Sequence, residues 1–291
     1  MFHMVSSDSL VKQADSGTEG AFVSNGAPGP VRIEFRKVTR RFEGKGGAAA
    51  VVAAQDVSLA IRAGEVVSLI GPSGCGKSTL LNMGAGLYLP SEGEVFVNGA
   101  KVEGPNPQVA FMLQKDLLLP WRSIRENVEL GLHIRGVDAA TRKKRAIALM
   151  QRFHLKGFED HYPHQLSGGM RQRAALARTL AVEPTVLLMD EPFSALDAQT
   201  KMVLQQDLAL TLAEEKKTTL FITHDLVEAI TLSDRVLVMS KRPGTIVEEI
   251  TVEIPDRENP MARRRDSRVG SYVARLMELL HIDELVASDS I

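Results

Sequence analysis

The run Glu65-Val66-Val67-Ser68-Leu69-Ile70 is almost wholly apolar, ends on Gly71, and leads through PSGCGK into the helical pattern STLLNMGAG. A strand apolar on both faces belongs inside a parallel sheet that is covered on both sides. The spacing Gly71-x-x-x-x-Gly76-Lys77-Ser78, set between such a strand and a helix, requires a turn whose backbone N–H groups curl round an anion. Gly71, Gly74 and Gly76 leave the backbone bare for a β-phosphate, and the helix dipole adds positive potential. Lys77 reaches the β- and γ-phosphates, and the Ser78 hydroxyl is a candidate ligand for Mg2+. Pro72, Ser73, Cys75 and Thr79 complete the nucleotide-binding run, with the Cys75 thiol expected beside the bound phosphate.

A second buried strand, Thr185-Val186-Leu187-Leu188-Met189, runs into Asp190-Glu191-Pro192. Two carboxylates at the carboxyl end of a parallel strand stand where such sheets place their ligands. Asp190 can hold Mg2+ through its water shell, and Glu191 can polarise the water that attacks a γ-phosphate. The alternative is a helix-capping pair after a strand. A third segment, QLSGGMRQR, reads as a helix start: Ser167 can cap it, Gly168 and Gly169 bare the backbone, and basic residues follow. It attracts anions yet has no lysine of the kind that grips a nucleotide.

The chain has 291 residues, enough to bury a large core, and its 35 Lys and Arg balance 36 Asp and Glu, which argues against broad electrostatic binding to nucleic acid. One cysteine forbids an internal disulfide. No apolar run approaches the roughly 20 residues of a membrane helix, so membrane contact is expected to be peripheral. Residues 1–30, rich in Ser, Gly, Asp and Pro, read as a mobile tail. VRIEFRKVTRRF and QDVSLAI read as antiparallel strands flanking a Gly/Ala loop. SIRENVELGLHI and DAATRKKRAIALMQRF carry helical periodicity, opened by Ser123 and Asp138 as caps.

From about Val31 to Glu249 these motifs, in this order, resemble the ATP-binding subunit of an ABC transporter. Lys77 then lies in the Walker A motif, Asp190 in Walker B, and Glu191 corresponds to the catalytic glutamate. LSGGM at Leu166–Met170 resembles the signature, with Met170 where glutamine is usual, and SALD at Ser194–Asp197 resembles the D-loop. Gln114, after QVAFML, matches the Q-loop glutamine, a further Mg2+ ligand; His224, after TTLFIT, matches the switch histidine. Phe42 stands nearest the aromatic that stacks on adenine, and a strand residue packed into the core is the other reading.

The resemblance implies an α/β fold: a P-loop NTPase core of ABC type with an antiparallel β subdomain and an inserted helical subdomain. The ATPase domain would span 31–254, its helical subdomain about 115–182, and a helical extension 255–291. It also implies ATP hydrolysis in a head-to-tail dimer, most simply a homodimer, with Ser167, Gly168 and Gly169 closing over the facing nucleotide. The implied partners are multi-pass permease subunits on the cytoplasmic face of the cell membrane and an extracytoplasmic solute-binding protein, with no nucleic acid. DLLLPW after Gln114 and RPGTIVEEI from Arg242 resemble the importer branch for nitrate, sulfonates and taurine. An exporter, a lipid-transport system or a soluble ABC ATPase would carry the same engine.

Two segments fall outside the motifs. Leu117, Leu118, Leu119, Pro120 and Trp121 are either a core anchor or the contact for a permease helix. Beyond Pro255, SYVARLMELLHIDELV reads as an amphipathic helix packed on the core, and Arg263–Arg265 as a solvated basic face, with anionic lipid as an alternative ligand.

Overall fold

The computed structural model describes residues 29–44 and 49–281. The tail expected over 1–30 lies outside the described residues up to position 28, as does the end of the expected C-terminal helix from 282. Two sheets enclose the nucleotide loop and its helix. The antiparallel sheet has the order β2-β1-β4-β5, built from β1 (Val31–Phe42), β2 (Val51–Arg62), β4 (Glu92–Val97) and β5 (Ala100–Lys101). The larger sheet, β10-β9-β3-β8-β7-β6, comprises β3 (Val66–Ile70), β6 (Val109–Met112), β7 (Val186–Asp190), β8 (Thr218–Ile222), β9 (Arg235–Met239) and β10 (Ile246–Thr251). Its strands run parallel except for β10, which pairs antiparallel with β9.

Every residue of β3, β8 and β9 is buried, which accounts for their mostly apolar character, with Ser68, Thr218 and Thr219 as small polar exceptions. The charged exception is Arg235, whose guanidinium meets Glu65 at 3.0 Å and Glu249 at 2.8 Å, so its charge is compensated where it is buried. Helix α1 (Lys77–Gly84) is wedged between the sheets, with Leu80, Leu81 and Met83 sharing a core with Ile33 and Phe35 of β1 and Leu188 of β7. A methyl on Gly84 would stand 3.1 Å from both Ile33 and Phe35, so the helix lies almost on the strand behind it.

β2 begins at Val51, earlier than the sequence pattern suggests, and takes the last four residues of the expected Gly/Ala loop, 51–54, into the hairpin, whose outermost pair is Phe42–Val51. Small residues are needed there: Ala53 and Ala54 are buried against Gly76 of the nucleotide loop.

The helical layer comprises α2 (Ile124–Ile134), α3 (Ala139–Arg152) and α4 (Gly168–Ala181), which share one core with β6 and β7. Ser123 and Glu126 close a reciprocal capping box on α2, Asp138 caps α3, and Ser167 caps α4, as the local sequence predicts. Against the same core, α5 (Ala198–Glu214) and, next to it, α6 (Leu226–Leu232) begin at the capping residues Asp197 and Asp225. After the short α7 (Pro260–Arg263), α8 (Val269–Leu279) buries Val269 and Leu276 against α6 and β9. Among the described residues no helix is long and apolar enough to cross a membrane.

The basic run near α7 is a correction. Arg265 is exposed as expected, but Arg263 is only 3% exposed. Its guanidinium donates to the carbonyls of Ile230, Thr231 and Ser233 at the end of α6, and to those of Ile254 and Pro255. A helix leaves its last carbonyls without partners, and one planar five-donor cation satisfies several at once. Arg263→Ala should therefore lower unfolding stability by about 2–4 kcal/mol, against about 0.5 kcal/mol or less for Arg265→Ala. Denaturant unfolding of both variants measures the difference.

Candidate functional site

The nucleotide loop, 71–76, joins β3 to α1 and is shaped by what stands behind it. Gly76 has φ +107°, and a methyl there would overlap the Ala53 carbonyl of β2, so neither the conformation nor the space admits a side chain. Lys77 folds back along the loop, its Nζ donating to the carbonyls of Gly71 at 2.8 Å and Pro72 at 2.9 Å. Those carbonyls are turned toward the cation. Ser78 and Thr79 follow in the first turn of α1, Ser73 is exposed and Pro72 is half-buried.

Cys75 departs from expectation. Its thiol is 1% exposed and packs into the core shared by the two sheets, with Sγ 3.9 Å from Lys77 Nζ. The residue contributes backbone to the loop while its side chain points inward, where a small apolar group fills the space beneath it.

At the carboxyl end of β7 the two acids separate. The Asp190 carboxyl is half-buried and hydrogen-bonded by the Ser78 side chain; burial raises its pKa, and the Glu191 charge adds to the rise. Glu191 takes φ +48°, a left-handed conformation costly for a residue with a Cβ, with its N–H held by the Ile222 carbonyl at 3.1 Å. The kink aims its side chain at two polar groups. Gln114 Nε2 donates to Glu191 Oε2 at 3.0 Å, and His224 Nδ1 lies 3.4 Å from the same oxygen. Gln114, Glu191 and His224, from segments 33 to 110 residues apart in the chain, thus meet at one carboxylate.

That triad lines a cleft that also holds Gly168, Arg171 and Gln172 of α4. Ser167 and Gly168 are exposed at the helix start, and Ser167 Oγ accepts from the Met170 N–H at 3.3 Å. Gly169 lies close against Thr200 of α5, with no room for a larger residue unless that side chain shifts. Met170 is partly buried against the helical core, so the thioether faces inward and the exposed face of this turn is Ser167 and Gly168.

Three residues that bind these parts together are absent from the sequence expectations. Arg171 meets Asp116 at 3.0 Å, and Arg178 donates to the Asp116 and Leu117 carbonyls, so the segment after Gln114 is tied to α4. Their spacing of seven puts both on one helix face, a signal available in the sequence. Lys201 of α5 bridges Asp225 at 2.8 Å and Glu228 at 2.7 Å, fixing the helix that follows His224.

Two candidates stand apart from this constellation. Phe42, the last residue of β1, is half-buried, meets Tyr88 edge-on at 5.9 Å and lies under the Arg40 guanidinium at 4.9 Å. It is not in the buried core, and its partner Val51 is two residues from Ala53 beneath the loop. Trp121 is 71% exposed and Leu117 53% exposed, whereas Leu118 is buried in the helical core. Leu118 is therefore the anchor of this segment, and the core reading of Trp121 is overturned.

The donors available for Mg2+ are oxygen: Ser78 Oγ, the Asp190 carboxylate paired with it, and the Gln114 amide, which suits a hard cation completed by phosphate and water. Among the described residues no group of three or more His, Cys, Asp or Glu side chains could hold a metal by itself.

Known proteins similar to this chain share one family. The family model described as ABC transporter matches residues 54–194. An uncharacterised ABC transporter ATP-binding protein of Methanocaldococcus jannaschii is 44% identical over 89% of this chain and 94% of its own. The taurine import ATP-binding protein TauB of Yersinia pestis is 45% identical over 70% of this chain and 80% of its own. Among solved structures, a dimeric ATP-binding cassette in a post-hydrolysis state bound to ADP and Pi superposes with a TM-score of 0.69 at 33% identity, covering 76% of this chain and 99% of its own.

The raised pKa of Asp190 has a measurable sign. Because folding favours its acid form, the carboxylate costs the fold stability; that cost is absent below the ordinary carboxylate range and complete above the raised pKa. Asp190→Asn should raise the melting temperature at pH 8 in buffer without nucleotide or magnesium. The gain should vanish as the pH is lowered through the carboxyl's titration.

Proposed function

This chain belongs to the ATP-binding subunits of ABC transporters, and on that premise we propose that it powers uptake of a small anionic solute, of nitrate, sulfonate or taurine type, through a separate permease. The observation that carries the engine is the convergence of Gln114 and His224 on one oxygen of Glu191, beside the Ser78–Asp190 pair. The taurine-import relative and the segments DLLLPW and RPGTIVEEI support the solute class.

In the proposed mechanism the loop N–H groups and Lys77 bind the β- and γ-phosphates of ATP, and Phe42 offers a ring face to adenine. Ser78, Asp190 and Gln114 would hold Mg2+, which supplies charge that stabilises the transferring phosphoryl group. Glu191 orients the attacking water and accepts its proton, while His224 and Gln114 hold the carboxylate in place. Ser167, Gly168 and Gly169 close over the γ-phosphate of a second copy, which accounts for an exposed anion-binding helix start without a lysine.

We take 31–254 as the ATPase domain, with the helices between 115 and 182 as its moving part and 255–291 as an extension. Motion would pass from Gln114 through Asp116 to α4 by way of Arg171 and Arg178. The exposed Leu117 and Trp121 lie on that segment and fit the contact with a permease helix, which supports a position for the subunit at the cytoplasmic face of the membrane. A solute-binding protein outside the membrane completes the system.

Glu191→Gln should retain ATP binding, lose at least about 100-fold in hydrolysis, and accumulate a dimer in ATP on light scattering. An ATP-loaded variant that stays strictly monomeric would overturn the closing role of the signature. Trp121→Ala should leave the isolated subunit's ATPase rate within about twofold, in keeping with its exposed position, while abolishing solute uptake by the reconstituted complex.

A further inference from the structure

The segment Ser240–Thr245, between β9 and β10, has no role in the mechanism above, yet it lies against the nucleotide loop. Arg242, on the surface, donates from Nε at 2.9 Å and Nη2 at 2.8 Å to a single acceptor, the Gly74 carbonyl 168 residues earlier. Gly244 lies so close to the Cys75 carbonyl that a methyl would overlap it. Its N–H donates to Ala53 O at 3.1 Å and its carbonyl accepts from Gln55 N at 2.9 Å, so the same turn is stitched to β2. At the loop's start, a methyl on Gly71 would come within 2.8 Å of the Met239 carbonyl at the end of β9. The loop is thus backed along its length by β9, the turn and β2.

We propose that the turn 240–245 is a brace that holds the nucleotide loop in its phosphate-binding shape, and that Arg242 is a positioning residue for ATP. The Gly74 carbonyl and the Cys75 N–H belong to one planar peptide, so fixing the carbonyl fixes the direction of that N–H. A charged donor fork also polarises the peptide, strengthening the N–H as a donor on the opposite side. Lys77 turns the Gly71 and Pro72 carbonyls toward itself, and Arg242 does the same for Gly74, so two cations hold three carbonyls; the Cys75 N–H meets the Pro72 carbonyl only at 3.4 Å, a long bond that a phosphate oxygen would replace. Arg242 acts through the loop and needs no contact with the nucleotide.

This inference rests on the ATP-binding reading of the site, and the test separates the two. ATP affinity is titrated on the full chain for wild type, Lys77→Ala, Arg242→Ala and Arg242→Lys, together with melting temperatures and hydrogen exchange of the peptide covering 71–79. The wild type should bind ATP and Lys77→Ala should not; a wild type that fails to bind refutes the ATP-binding reading itself. Arg242→Ala should bind about tenfold more weakly, with its melting temperature near wild type and faster exchange confined to the loop. Arg242→Lys, with one compact donor group in place of the fork, should recover part of the loss. If wild type binds and Arg242→Ala binds within twofold of it, the brace is refuted while the site stands. Weaker binding accompanied by a lower melting temperature and faster exchange across the whole fold would make Arg242 a general stabiliser and equally overturn the proposal.

Discussion

Everything in the site depends on a stretch of backbone kept bare and held rigid. An anion-binding turn needs N–H groups that no side chain screens and no helix or sheet consumes, a state that is costly unless the surroundings fix it. In this protein the fixing comes from both sheets. Ala53 of β2 lies under Gly76, Met239 at the end of β9 lies under Gly71, and α1 runs between the sheets into their shared core. The buried thiol of Cys75 belongs to the same packing, filling space beneath the loop.

The parallel sheet provides the second constraint. β3, β7 and β8 are neighbours, so the loop after β3, the acids after β7 and His224 after β8 emerge at one edge. Asp190 and Glu191 are adjacent in sequence but face different partners because the backbone kinks at Glu191, φ +48°. One acid turns to Ser78 and the other to Gln114 and His224. The strain at that residue is the local cost of giving consecutive carboxylates different partners.

Much of this was legible in the residues. The loop motif, the buried strands and the caps Ser123, Asp138 and Ser167 depend on neighbours within a few positions, and each stands where the pattern placed it. Expectations resting on the fate of a single side chain fared differently. Arg263 looked like part of a basic surface because its neighbours are charged, but the unpaired carbonyls that draw it inward belong to α6, some thirty residues earlier. Trp121 was as consistent with a core as with a surface; Leu118, three residues earlier in the same loop, takes the core position.

The sequence by itself determined the local patterns on which the proposed chemistry rests: a glycine-rich turn closed by a lysine, two consecutive carboxylates after a buried strand, and the order of strands and helices that carries them. These are encoded in local spacing, through backbone freedom at glycine, the strand and helix periods, and capping. Only the tertiary structure decided which groups meet. Gln114 and Glu191 are 77 residues apart and Arg242 and Gly74 are 168 apart, and no local pattern brings such groups within hydrogen-bonding distance. That proximity arises because burying the apolar strands side by side, with one helix wedged between two sheets, leaves a single edge where their polar ends can gather.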